Sequence, residues 1–186
     1  HYSTRERLVI LDEFYERIFT LLSPVRSVMD LACGLHPLSI PWMGLDKGVR
    51  YYAYDVYEDM AAFLNDYLKL TNVTGYAESR DITQYPPDIK TDVAFLLDIV
   101  PCLEQIEHSA ASRLLESIRA PFLIVSFPVH SLGGRKKNMQ EHYKKRFNAL
   151  AKNEDWKTER LEFKAELVYL IEKPMQRALA ARDTEA

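Results

Sequence analysis

The chain has 186 residues, 47% of them hydrophobic and 27% charged, with 6 Gly, 9 Pro and a formal net charge of −3. Such a composition suits one folded domain, two at most, and excludes a disordered, collagenous or low-complexity polypeptide. No apolar run reaches the roughly 18–20 residues of a membrane span, the opening HYSTRERL lacks the apolar stretch of a secretory signal, and Cys33 and Cys102 are too few for a disulfide scaffold and have no His at zinc spacing.

The expectation is therefore a soluble, cytoplasmic monomer with no structural metal and no membrane association. Charge is unevenly placed: residues 1–130 carry 11 Lys and Arg against 18 Asp and Glu, and residues 131–186 carry 13 against 9. The excess gathers in Arg135, Lys136, Lys137, Lys144, Lys145 and Arg146, which makes a polyanion such as RNA a conceivable partner. A solvated helix face explains the same cluster about as well.

Residues 4–22 place apolar side chains at three- and four-residue intervals and predict an amphipathic helix that Pro24 ends. A buried strand follows at 27–32 and closes on Cys33 and Gly34. Next come a strand at 51–55, a helix at 58–70, a strand at 72–77 and a doubly buried strand at 92–98. Pro101 opens a helix through residue 118, residues 122–127 form a fifth strand, 137–151 a helix, and 158–163 with 167–171 a final strand pair. Strands alternating with helices predict an α/β fold: a doubly wound, mostly parallel Rossmann-like sheet with a C-terminal antiparallel strand.

Ligands of such sheets bind outside the carboxyl ends of the strands. Asp30, a candidate cofactor-binding residue, closes the first strand ahead of Ala32 and Gly34, and Gly34 permits close approach of backbone to a ligand. Asp55 ends the second strand 25 positions later, where a carboxylate can accept both hydroxyls of a ribose. Only one Gly is present, followed by Leu35-His36-Pro37, so the pyrophosphate cradle of a dinucleotide fold is missing. A nucleoside without phosphates fits better, and S-adenosylmethionine is such a ligand. Asp81 and Ile82 after the third strand suit an adenine edge and face, with an ordinary turn as the rival explanation. Asp98 ends the fourth strand, where a substrate's reactive part would sit, and a carboxylate there is costly unless paired or solvated.

Four segments carry a resemblance: HYSTRERL (1–8), DLACGLHPL (30–38), LLDIVPCLE (96–104) and SFPVHSLGGRKKNM (126–139). In that order they resemble the aminoglycoside-resistance 16S ribosomal RNA guanine-N7 methyltransferases. The resemblance implies a class I methyltransferase domain over residues 1–172, its leading helix (1–23) packed on the cofactor site, with a polar tail at 173–186. It also implies an RNA-docking N-terminal domain that this chain lacks. S-adenosylmethionine would be the cofactor and the small ribosomal subunit the partner. Carried over by position, Arg7 holds the methionine carboxylate, Ala32 and Gly34 form the turn beneath the cofactor, Asp55 takes the ribose and Asp81 the adenine. The family pattern has Lys at the place of Asp98 and Asn at the place of His36.

Guanine N7 offers a lone pair and has no proton to lose, so positioning and electrostatics would supply the rate. Asp98 is the expected group near the developing positive charge, and Phe127 the expected ring against an unstacked guanine. A small-molecule methyltransferase, or an RNA-binding module on a degenerate methyltransferase fold, would keep parts of the same pattern.

Overall fold

The computed structural model describes residues 7–22, 24–129, 136–151 and 155–174, with only the backbone course for residues 136–142. A short 3-10 turn, Leu8–Ile10, leads into helix α1, Leu11–Leu21. Strand β1 is Ser27–Leu31, and a 3-10 segment, His36–Trp42, follows it. Then come β2 (Arg50–Asp55), α2 (Glu58–Leu70), β3 (Thr74–Ser79), β4 (Val93–Leu97), α3 (Val100–Ile106), α4 (Ala110–Ser117) and β5 (Phe122–Pro128). Helix α5 (Lys136–Leu150) and strands β6 (Lys157–Glu162) and β7 (Glu166–Glu172) complete the regular structure among the described residues.

The strands form one sheet in the order β3-β2-β1-β4-β5-β7-β6. All pairs from β3 to β5 are parallel, and β7 is antiparallel to both β5 and β6. From β1 the chain winds outward through β2 to β3, then returns to β4 on the other side of β1. The crevice between the ends of β1 and β4 is thus the topological switch point, the ligand position of an open α/β sheet.

Successive strand residues face opposite sides, and two apolar layers result. Val28, Phe95, Ile124 and Val168 pack with Phe14, Tyr15 and Ile18 of α1 and Leu64 of α2. Met29, Leu96, Val125 and Tyr169 pack with Leu103 of α3, Leu114 of α4 and Phe147 of α5. The central strands are buried on both faces, which is why they read as continuous apolar runs.

Three local features depart from the sequence reading. The single helix expected at 101–118 is two, because Glu107 takes an extended conformation (φ −151°, ψ 130°) and Ser109 restarts the helix. The apolar period hides this break, since Leu103, Ala110, Ala111, Leu114 and Leu115 all enter one layer. The third strand starts at Thr74 because Asn72 sits at φ +56° in the preceding turn, a conformation Asn tolerates. The 3-10 segment at His36–Trp42, with Pro37 and Pro41, was not anticipated.

Candidate functional site

The chain leaves β1 through a tight turn in which Ala32 has φ +51° and Gly34 φ +49°. Cys33 donates its amide to the Tyr54 carbonyl (2.9 Å), and Gly34 donates its amide to Asp55 Oδ2 (2.8 Å). The ends of β1 and β2 are thereby joined. A Cβ at Gly34 would meet no atom within 4 Å, so the turn borders open space. Asp55 is half-buried, and among the described residues its Oδ1 accepts only a long bond, 3.3 Å, from the Tyr57 amide. A carboxylate oxygen has two acceptor sites, so Asp55 retains capacity for further donors.

Asp30 plays a different part. It is 1% exposed, and its Oδ2 accepts from the Tyr51 hydroxyl (2.8 Å) and meets His36 Nδ1 (2.8 Å). His36 Nε2 lies 2.7 Å from the Tyr15 hydroxyl, which also contacts Ser39. This buried network pins the 3-10 segment to β1, β2 and α1. Burial and the neighbouring Asp30 charge hold the Tyr51 phenol well above its ordinary range, so it remains a donor.

Asp81 is committed to its own turn. Its Oδ1 accepts from the Thr83 amide (2.9 Å) and hydroxyl (2.6 Å), and Oδ2 from Gln84 Nε2 (2.7 Å). These bonds, Thr83's foremost, hold its carboxyl below the usual range. Ile82 is buried among core residues that include Leu31 and Tyr54.

At the end of β4 Asp98 adopts φ +59°, and its Oδ2 accepts from Arg7 Nη2 at 3.0 Å. Arg7 Nε donates to Glu166 Oε1 at the start of β7. Arg7 is 4% exposed, yet Glu166 and Asp98 outweigh the effect of burial and raise its pKa. Burial first, and then Asp98, pushes the Glu166 carboxyl up to about 7 against the pull of Arg7. Beside Arg7 lies a mostly apolar cavity bounded by Leu11, Leu35, His36, Leu38 and Trp42. Sequence reading missed Glu166, although a lone acid in the run Ala165-Glu166-Leu167-Val168-Tyr169-Leu170 is a signal of a paired buried charge.

Phe127 corrects an expectation. Its ring is fully buried, stacked on Tyr143 (4.9 Å between centroids) and edge-on to Tyr169 (6.0 Å), and offers no face to a base. The alternation of β5 turns Phe127 into the same layer as Leu123 and Val125.

The basic cluster is also divided. Arg135 lies outside the described residues, and Lys136 and Lys137 begin α5. Lys144 and Lys145 are exposed, while Arg146 is ion-paired with the nearly buried Glu104 of α3. Arg146 is thus a link between α5 and α3. Among the described residues no group of His, Cys, Asp and Glu is placed to hold a metal ion, and no helix is long and apolar enough to cross a membrane.

Comparison with known proteins gives concordant results. Residues 1–170 match the family described as ribosomal RNA methyltransferase (FmrO). The 16S rRNA (guanine(1405)-N(7))-methyltransferase of Micromonospora echinospora is 37% identical over 173 residues, covering 93% of this chain and 63% of that protein. The Serratia marcescens enzyme of the same name is 34% identical over 177 residues, covering 93% and 67%. The structure of 16S rRNA methyltransferase RmtF in complex with S-adenosyl-L-homocysteine superposes with a TM-score of 0.83 at 33% identity, over 94% of this chain and 66% of that one. The 16S rRNA methylase ArmA gives 0.77 at 28%, over 94% and 87%. Magnesium protoporphyrin IX methyltransferase from Synechocystis, at 17% identity and a TM-score of 0.63, shares the fold. The chain spans about three fifths of the length of the Micromonospora relative.

Proposed function

Because the chain belongs to the ribosomal RNA methyltransferase (FmrO) family, we propose that it uses S-adenosylmethionine to methylate N7 of a guanine in 16S ribosomal RNA, the modification linked to aminoglycoside resistance. The observation that carries this reading is the junction of Gly34 and Asp55 at the carboxyl ends of β1 and β2. The donor set fits the cofactor: open space above Gly34, a half-buried carboxylate with acceptor capacity left, and a buried guanidinium across the switch point.

When bound, S-adenosylmethionine supplies a methyl group on a cationic sulfur. Asp55 accepts the ribose hydroxyls, and the backbone of Ala32 and Gly34 forms the floor. Arg7 has five N–H groups, of which described residues take two, so it can also receive the amino-acid carboxylate. The turn that Asp81 stiffens, backed by Ile82, forms the wall on the adenine side. Asp30 acts from beneath, through His36 and Tyr51, by fixing the segment that follows the turn.

The attacking nitrogen has no proton to remove, so no side chain has to serve as general base. Asp98 lies at the end of β4, where its carboxylate favours positive charge developing on the methylated base. Lys144 and Lys145 on the exposed side of α5, together with Arg135, Lys136 and Lys137, attract the RNA backbone. Titration of the folded chain with S-adenosylhomocysteine tests the cofactor half of this reading. Micromolar binding with a rise in melting temperature is expected, and no heat and no stabilisation at millimolar ligand would refute it.

A further inference from the structure

Strands β3 and β6 are the outer strands of the sheet, and an outer strand turns a row of backbone groups away from its neighbour. The two edges are unlike in sequence. β6 reads Lys157-Thr-Glu-Arg-Leu-Glu162, and its charges oppose the addition of a further strand. β3 reads Thr74-Gly-Tyr-Ala-Glu-Ser79, without proline and with Glu78 as its one charge, which is already paired with Arg80 (2.7 Å).

Just past the end of β3 the Arg80 amide donates to the Asp55 carbonyl of β2 (2.7 Å). Backbone groups alternate in direction along a strand, so Gly75, Ala77 and Ser79 direct theirs away from β2. At the middle one a side chain closes the edge. Asn65 of α2 accepts from the Ala77 amide at Oδ1 (2.9 Å) and donates from Nδ2 to the Ala77 carbonyl (2.7 Å). Nδ2 also donates to the Ala61 carbonyl one helical turn back (2.9 Å). A carboxamide carries the donor and acceptor of a peptide group, so Asn65 stands at Ala77 where a neighbouring strand would. Asn65 is exposed, yet its amide is spent on protein backbone.

We propose that the outer edge of β3 is a strand-pairing surface whose matching partner is the same edge of a second copy of this chain, and that Asn65 keeps it closed. Antiparallel strands exchange both backbone bonds between directly opposed residues at alternate positions. Two copies of β3 related by a twofold axis through Ala77 oppose Ala77 to its own equivalent and Gly75 to Ser79, so all three outward residues pair in one register. Tyr76 then lies across from Glu78, and no like charges are opposed. A twofold contact of this kind uses the same patch on both copies and closes at a dimer. The Asn65 carboxamide occupies the centre of that arrangement and excludes it. Neither cofactor nor RNA enters this contact.

The test is sedimentation velocity over a concentration series, with amide hydrogen exchange, on the native chain and on Asn65→Ala. The native chain should sediment as one monomeric species at every concentration, with the Ala77 amide slow to exchange although it lies on the outer side of an edge strand. Asn65→Ala should move toward twice the monomer mass as concentration rises, and its Gly75, Ala77 and Ser79 amides should gain protection in step. An Asn65→Ala chain that stays monomeric, or that associates without protecting those amides, would overturn the proposal. So would a native chain already paired through β3, or a native Ala77 amide that exchanges as fast as an open one. Should Asn65→Ala not fold, Asn65→Ser, whose hydroxyl is too short to span the Ala77 amide and carbonyl, takes its place with the same outcomes.

Discussion

The Gly34 amide points a hydrogen bond 2.8 Å long at Asp55 Oδ2, so the turn after β1 and the carboxylate that ends β2 are held by each other. Asp55→Ala removes a charged acceptor for the ligand and the tether of the turn together. Binding of S-adenosylhomocysteine should weaken by about 1–3 kcal/mol. Asp55→Asn, which keeps an acceptor oxygen, should lose less. Equal affinities for the native chain and Asp55→Ala in a calorimetric titration would remove Asp55 from the site.

Gly75 tests the sheet that carries the site. It sits at φ +143° opposite Tyr51 in the β2–β3 ladder, and a Cβ there would lie 1.8 Å from the Tyr51 carbonyl oxygen. Backbone, not a flexible side chain, would have to move. Gly75→Ala is expected to cost about 2–4 kcal/mol in a denaturant unfolding experiment. A loss below about 0.5 kcal/mol would show that the ladder relaxes freely at this point.

Glu166 links folding to pH. Its carboxyl is raised from 4.5 to about 7 by burial first and Asp98 second, so the folded chain binds this proton more tightly than the unfolded one. The sign follows: the contribution of this group is most favourable below pH 4.5, declines as pH rises to 7, and is constant above that. Melting curves of the native chain and Glu166→Gln should diverge between pH 5 and 7, the native chain losing ground as pH rises. Parallel curves would place the Glu166 carboxyl in its ordinary range.

RNA contact should come from the exposed cations of α5 and the residues just before it. With about three or four phosphate contacts, the logarithm of affinity should fall with the logarithm of salt with a slope of about −2 to −4. Changing Arg135, Lys136 and Lys137 to Glu should abolish methylation of small subunits and leave cofactor affinity unaltered. Arg146→Ala, by contrast, should show up as lost stability, since Arg146 is paired with Glu104. Unchanged methylation by the triple Glu variant would mean that RNA docks elsewhere.

The parallel strands were legible because burial on both faces leaves only apolar side chains in Val93–Leu97 and, apart from Ser126, in Phe122–Pro128, and the acids that end β1, β2 and β4 break those runs. What sequence could not separate was an acid that faces the crevice from one that faces the core. Asp55 and Asp30 read alike, yet one is half-buried beside the open turn and the other is buried with its Oδ2 engaged by His36 and Tyr51. Phe127 was misjudged, and the ion pair of Arg146 escaped notice, for a related reason: each has its partners on elements remote in sequence, Tyr143 with Tyr169 in one case and Glu104 in the other. The pairing of Arg7 with Glu166 spans 159 positions and emerges only when β7 is laid beside β5.

Transfer of a labelled methyl group to intact small ribosomal subunits, read as the modified nucleoside after digestion of the RNA, tests the central claim most directly. The expected result is label in 7-methylguanosine. Label confined to another nucleoside, or none in the RNA while S-adenosylhomocysteine still binds, would contradict the account.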